Sequence, residues 1–84
     1  MPIFYLHLFN GTGAIPDEEG KELPDLEAAR ALALASIRDI VSAEASEGQI
    51  DLRGRIEIAD ETGNTRAKIS FSSAIVIHGQ ESQE

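Results

Sequence analysis

The sequence predicts an α+β fold: a small antiparallel sheet of three to four strands with one long helix packed on one face. The predicted order is β, then a short hairpin or loop, then α-β-β. Three observations carry this. Residues 3–9, Ile-Phe-Tyr-Leu-His-Leu-Phe, form an extended run rich in aromatic and aliphatic side chains. Leu26 to Ala45 repeats its apolar residues at helical spacing. Residues 53–60 and 65–71 alternate apolar and polar positions on either side of a turn containing Gly63.

Along the first strand, a period of two places Phe4, Leu6 and Leu8 on one face and Ile3, Tyr5, His7 and Phe9 on the other. The turn residues Asn10-Gly11-Thr12-Gly13 end it. In residues 14–23, Asp17-Glu18-Glu19-Gly20 has the composition of a type I turn closed by glycine. Ala14-Ile15 and Lys21-Glu22-Leu23 flank that turn, so the segment is either a very short hairpin or an ordered loop. Pro16 and Pro24 forbid a long ladder there.

Pro24-Asp25 marks a helix start, with the Asp25 carboxylate placed to accept first-turn N–H groups. At 100° per residue, Leu26, Ala29, Ala33, Ile37, Ile40 and Val41 fall on one stripe, with Leu32 and Leu34 at its edges. Ala29 and Ala33 in mid-stripe allow close approach to the sheet. Gly48 is the expected terminating glycine. In the hairpin, Ile56, Ile58, Ala67, Ile69 and Phe71 are expected to face the helix. Ser72-Ser73 breaks the alternation, and residues 74–77 read as a further short strand or extended arm. One domain over residues 1–78 with a polar tail over 79–84 accounts for the chain.

The 84 residues carry 15 acidic and 7 basic side chains, a formal charge of −8. Phosphate binding draws on clustered Lys and Arg, so neither a nucleic-acid nor an anionic membrane partner is expected. No apolar run approaches the ~20 residues of a membrane helix. No basic region followed by an apolar run opens the chain, so no signal peptide is expected, and a cytoplasmic location is the reading. With no cysteine, thiol chemistry, disulfides and Cys-based zinc sites are excluded.

The outward positions of the sheet are the candidate site. The first strand contributes Tyr5, His7 and Phe9, and the hairpin contributes Arg55, Glu57, Arg66, Lys68 and Ser70. Four of the 7 basic residues, Arg53, Arg55, Arg66 and Lys68, lie in or beside the hairpin, whereas nine of the 15 carboxylates precede residue 50. An acidic chain thus concentrates aromatic and basic groups on one face. Tyr5, His7, Phe9, Arg55, Arg66 and Lys68 are the expected interaction residues, serving a homodimer seam or partner-docking face, or pairing through the first strand itself. The plain alternative is a solvated face on which long basic stems cover aromatics. Base stacking of single-stranded RNA is disfavoured by the charge.

Catalytic chemistry has thin support. His7 and His78 lack a nameable nucleophile and orienting acid. The histidine spacing suits no metal site, and the acidic turn at 17–20 lacks the alternating oxygen ligands of a calcium loop. Gly11-Thr12-Gly13 lacks the Lys-Ser/Thr pair of a phosphate loop. No cofactor and no metal are expected, and a non-enzymatic role is preferred.

Phe4-Tyr5-Leu6-His7-Leu8, Gly11 and the run Ile15-Pro16-Asp17-Glu18-Glu19-Gly20-Lys21-Glu22-Leu23-Pro24-Asp25-Leu26-Glu27-Ala28-Ala29 resemble a family of short bacterial proteins of unknown function, found mainly in alphaproteobacteria. Residues 55–63 and Phe71-x-x-Ala74 match it as well, so the resemblance spans about residues 2–76. The chain departs from it in the apolar run Ala31-Leu32-Ala33-Leu34. His7, Asp17, Gly20, Pro24 and Asp25 fall on its motif positions. Turn and cap chemistry accounts for the last three. His7 has no such account, which makes it the first candidate for a functional position. The family implies no activity. Element order alone also resembles small antitoxin domains that bind a partner protein.

Overall fold

A computed structural model describes residues 2–11, 13–76 and 78. It is an α+β layer: an antiparallel five-stranded sheet with one long helix across one face. The elements are β1 (Ile3–Asn10), β2 (Gly13–Ile15), β3 (Lys21–Glu22), α1 (Leu26–Ser46), β4 (Arg55–Ala59), β5 (Thr65–Ser70) and α2 (Phe71–Ala74). The sheet runs β2-β1-β4-β5, and β3 also pairs with β1.

Strand β1 is the centre. Successive strand residues aim their backbone groups at opposite edges. Tyr5, His7 and Phe9 stand opposite Ala59, Glu57 and Arg55 of β4. At the even positions, the Pro2 carbonyl accepts from Leu23 N–H at 3.0 Å and Leu6 N–H donates to the Asp17 carboxylate at 3.2 Å. Both β2, opposite Leu8 to Asn10, and β3, opposite Ile3 and Phe4, therefore lie along the same edge of β1. Residues 14–23 do not fold into a hairpin of their own. The two fragments are one interrupted edge strand, because Pro16 cannot donate to a ladder and Gly20 turns the chain at φ +73°.

Helix α1 starts at Asp25, whose carboxylate accepts from Ala28 N–H at 2.9 Å. It packs with Ala29, Ala33, Ile37 and Val41 on the inner sheet face. There they meet Phe4, Ile56, Ile58, Ala67 and Ile69, while Phe71 and Ala74 close one end of the core. Full burial of a side chain such as Ile37 or Ile58 contributes about 2 kcal/mol. Gly54, just before β4, is so tightly enclosed that a Cβ would stand 2.7 Å from the Phe9 carbonyl oxygen of β1 and 3.2 Å from the Phe71 ring, and the Gly54 carbonyl accepts from Phe71 N–H at 2.9 Å.

The expectation of a short strand or extended arm over residues 74–77 is corrected at Ala74, which closes α2, whereas the Ile75 backbone is extended but pairs with no strand. Ser70 Oγ accepts from Ser73 N–H at 3.3 Å, and Ser73 Oγ returns a bond to the Ser70 carbonyl at 2.8 Å. This reciprocal cap turns residues 71–74 into the single turn α2. Ile75 and Val76 follow outside any strand, Val76 is exposed, and position 77 and the tail at 79–84 lie outside the described residues. Phe71, expected to end the hairpin strand, instead begins α2.

Candidate functional site

The outer sheet face is organised in rungs. Phe9, Arg55 and Ser70 are aligned across β1, β4 and β5, and His7, Glu57 and Lys68 form the next rung. The Arg55 guanidinium carbon lies 4.3 Å from the centre of the Phe9 ring, within cation–π reach. The same guanidinium donates through Nε to Glu57 Oε2 at 2.7 Å. Glu57 is the more sheltered partner, with its side chain 16% exposed against 45% for Arg55. Tyr5 and His7, two residues apart on one face, stack with ring centres 6.3 Å apart and planes at 11°. The structure thus brings Tyr5, His7, Phe9 and Arg55 together, with Glu57 completing the row.

Lys68 shares the rung of Glu57 and His7 but forms no ion pair among the described residues. Arg66 does not join the aromatic row. The register of β4 against β5 shifts between Ile58 and Ala59, which leaves Arg66 as the unmatched residue. Its guanidinium reaches 3.4 Å to Asp60 in the hairpin turn. His78 is exposed and lies on no strand.

His7 has a structural partner that its sequence position did not reveal. Its Nδ1 accepts from Asp17 N–H at 3.0 Å, which in the neutral ring places the single N–H on Nε2. Asp17 in turn answers the ladder. Its Oδ2 takes Leu6 N–H, and its Oδ1 takes Glu19 N–H at 3.2 Å and Gly20 N–H at 3.0 Å. Burial pushes the Asp17 carboxyl up, but the bonds from Gly20, Leu6 and Glu19 and the nearby His7 together hold it below the usual carboxylate range. The carboxylate fills the gap in the β1 edge between β2 and β3. Gly20 lies against the outer face, where a Cβ would stand 2.6 Å from Ile3 and 2.9 Å from the Tyr5 ring. Tyr5, His7 and Phe9 are accordingly half-buried, with the loop at 16–20 and Arg55 as their intrachain cover.

A separate groove lies away from this face. About 610 Å³ opens between the end of α1 and residues 49–53. Three of its charged groups are already engaged: Glu44 accepts from Asp51 N–H at 3.0 Å, and Arg53 forks onto Asp51 at 2.9 and 2.8 Å. The Arg53 guanidinium draws the Asp51 carboxyl down to about 2. Among the described residues, no three His, Asp or Glu side chains gather closely enough to hold a metal ion, and no helix is long and apolar enough to cross a membrane.

A family model covers residues 3–72, from the first residue of β1 to the middle of α2. The chain belongs to the family described as domain of unknown function DUF6894. The match takes in every strand, α1 and the His7–Asp17 pair, so the family is defined over the whole layered unit rather than over one motif. No curated protein and no solved structure matches the chain significantly.

Proposed function

We propose that this DUF6894 domain is a non-enzymatic interaction module of the cytoplasm that self-associates through its outer sheet face. One observation carries the reading. The face opposite α1 presents an aromatic and charged row, Tyr5, His7, Phe9, Arg55 and Glu57, and among the described residues the loop at 16–20 covers only part of it. Aromatic and Arg groups of this kind serve as anchors in protein interfaces. Pairing through β1 itself is not part of the proposal, because β4 occupies one edge and β2, Asp17 and β3 occupy the other. His7 gives no support to an enzymatic role, since its Nδ1 is taken by a backbone N–H.

Area sets the strength. Four strands about 4.8 Å apart and some five residues long at about 3.3 Å per residue span roughly 300 Å². Standard interfaces bury about 800 Å² per partner, so the association belongs to the weak, transient class. Sedimentation velocity over a micromolar concentration series tests it. The expected result is a reversible monomer–dimer equilibrium that Phe9→Asp shifts to monomer with the helical circular dichroism unchanged. A wild-type chain that remains monomeric at high micromolar concentration overturns the proposal.

A further inference from the structure

The outer edge of β5 is paired with no strand among the described residues. In the β4–β5 ladder, Ile56 pairs with Ile69 and Ile58 with Ala67. Because Glu57 turns its backbone groups toward β1, those two rungs are the hydrogen-bonded ones. Phe71 N–H, bonded to the Gly54 carbonyl on the same side, agrees with that parity. The backbone N–H and C=O of Lys68 and the N–H of Ser70 therefore point away from β4, and no other strand lies along them among the described residues. Beside this edge a groove of about 530 Å³ separates β5 from α1. Ala31, Leu34 and Ile69 give it an apolar floor, and Arg30, Lys68 and Glu27 stand around it. Neither Arg30 nor Lys68 has an ion-pair partner among the described residues.

We infer that β5 accepts an extended peptide of a partner protein as an added strand, one alternating apolar and acidic side chains. The residue placed opposite Lys68 shares its face, where a carboxylate meets the unpaired ammonium. Its two neighbours then point to the helix side and fill the groove over Leu34 and Ile69. Backbone bonds supply affinity and the alternating side chains supply selectivity. A second copy of β5 is a poor occupant. Two-fold antiparallel pairing with the helices on one side sets Lys68 against Lys68 in one register and against Arg66 in the next, where like charges directly opposite are destabilising, and the register that sets it against Ser70 leaves only residues 68–70 of each strand overlapping.

The probes are a capped synthetic peptide of alternating valine and glutamate and its valine–lysine counterpart, added to the full chain and followed by amide NMR. The expected result is that the glutamate peptide binds, shifts the Lys68 and Ser70 amides and slows their exchange. Lys68→Pro removes an outward N–H without touching the β4 ladder, and should weaken binding on the order of tenfold or more. Lys68→Glu, which keeps the N–H, should reverse the preference toward the lysine peptide. Phe9→Asp should bind the glutamate peptide normally. Equal binding of both peptides, no binding of either, or shifts centred on Tyr5 and Phe9 would each overturn the inference. So would a wild-type dimer that Lys68→Pro dissociates, because the edge would then be filled by a second copy.

Discussion

At the scale of single residues, His7 is explained by what its ring does for a backbone group ten positions away. Asp17 N–H is partly sheltered and points at Nδ1. A sheltered donor left without an acceptor costs about 1–3 kcal/mol. His7→Ala should therefore destabilise the fold by about 1–2 kcal/mol, toward the low end because water can reach part of the site. Hydrogen exchange supplies the sharper reading: Asp17, Glu19 and Gly20 amides should exchange faster than the global loss accounts for, while the α1 amides follow the global change alone. Unchanged exchange in the loop at 16–20 would show that the imidazole does not hold it. Asp17 and Glu57, placed by the sequence in a turn and on the outward face, were not among the expected interaction residues. The first matters through four backbone-linked bonds and the second through its place beside Arg55 on the sheet. Neither relation has a local sequence signature, since each depends on which strands become neighbours.

At the scale of elements, what was legible followed from repeating patterns. The α1 stripe of Ala29, Ala33, Ile37 and Val41 is buried as its spacing required, and the two faces of β1 divide as period two demands. The β4–β5 hairpin forms around a glycine with φ +89° at Gly63. What was not legible rests on single hydrogen bonds. Ser70 and Ser73 end β5 and begin α2 through reciprocal caps, where apolar content alone suggested another strand. The fragments β2 and β3 are too short for any periodicity to exist, and only β1 gives them a register. The small residues of α1 set the distance between layers. Ala33 is fully buried, so Ala33→Leu pushes three extra carbons into a packed space and should cost about 1–3 kcal/mol. Ala35→Leu, on the exposed side of the same helix, should stay within about 0.5 kcal/mol. Urea midpoints for the pair check this. Equal midpoints would mean that the helix can shift away from the sheet without loss.

At the scale of the whole molecule, acidity and local bonding act in opposite directions on stability. The formal charge of −8 and a pI near 4.6 mean that lowering the pH from 7 toward 5 reduces self-repulsion. Below that range, three carboxyls held under their ordinary values reverse the trend. These are Asp17, Asp51 beside Arg53, and Asp60, drawn down first by the Thr62 hydroxyl. A carboxyl with a lower pKa folded than unfolded binds fewer protons in the folded state. Its stabilisation is present above the unfolded value of 3.8 and is lost as pH falls through the folded value. The melting temperature should therefore hold or rise slightly from pH 7 to about 5 and fall below about 4. Salt separates the contributors. The Asp51–Arg53 pair is at the surface and is screened, whereas Asp17 is held mainly by backbone N–H groups of a folded loop. At high ionic strength the acid-side fall should persist, and Asp17→Asn should flatten it while lowering the melting temperature at pH 7. An acid-side fall of unchanged steepness in Asp17→Asn would shift the pH sensitivity of the fold away from the β1 edge and onto its surface carboxylates.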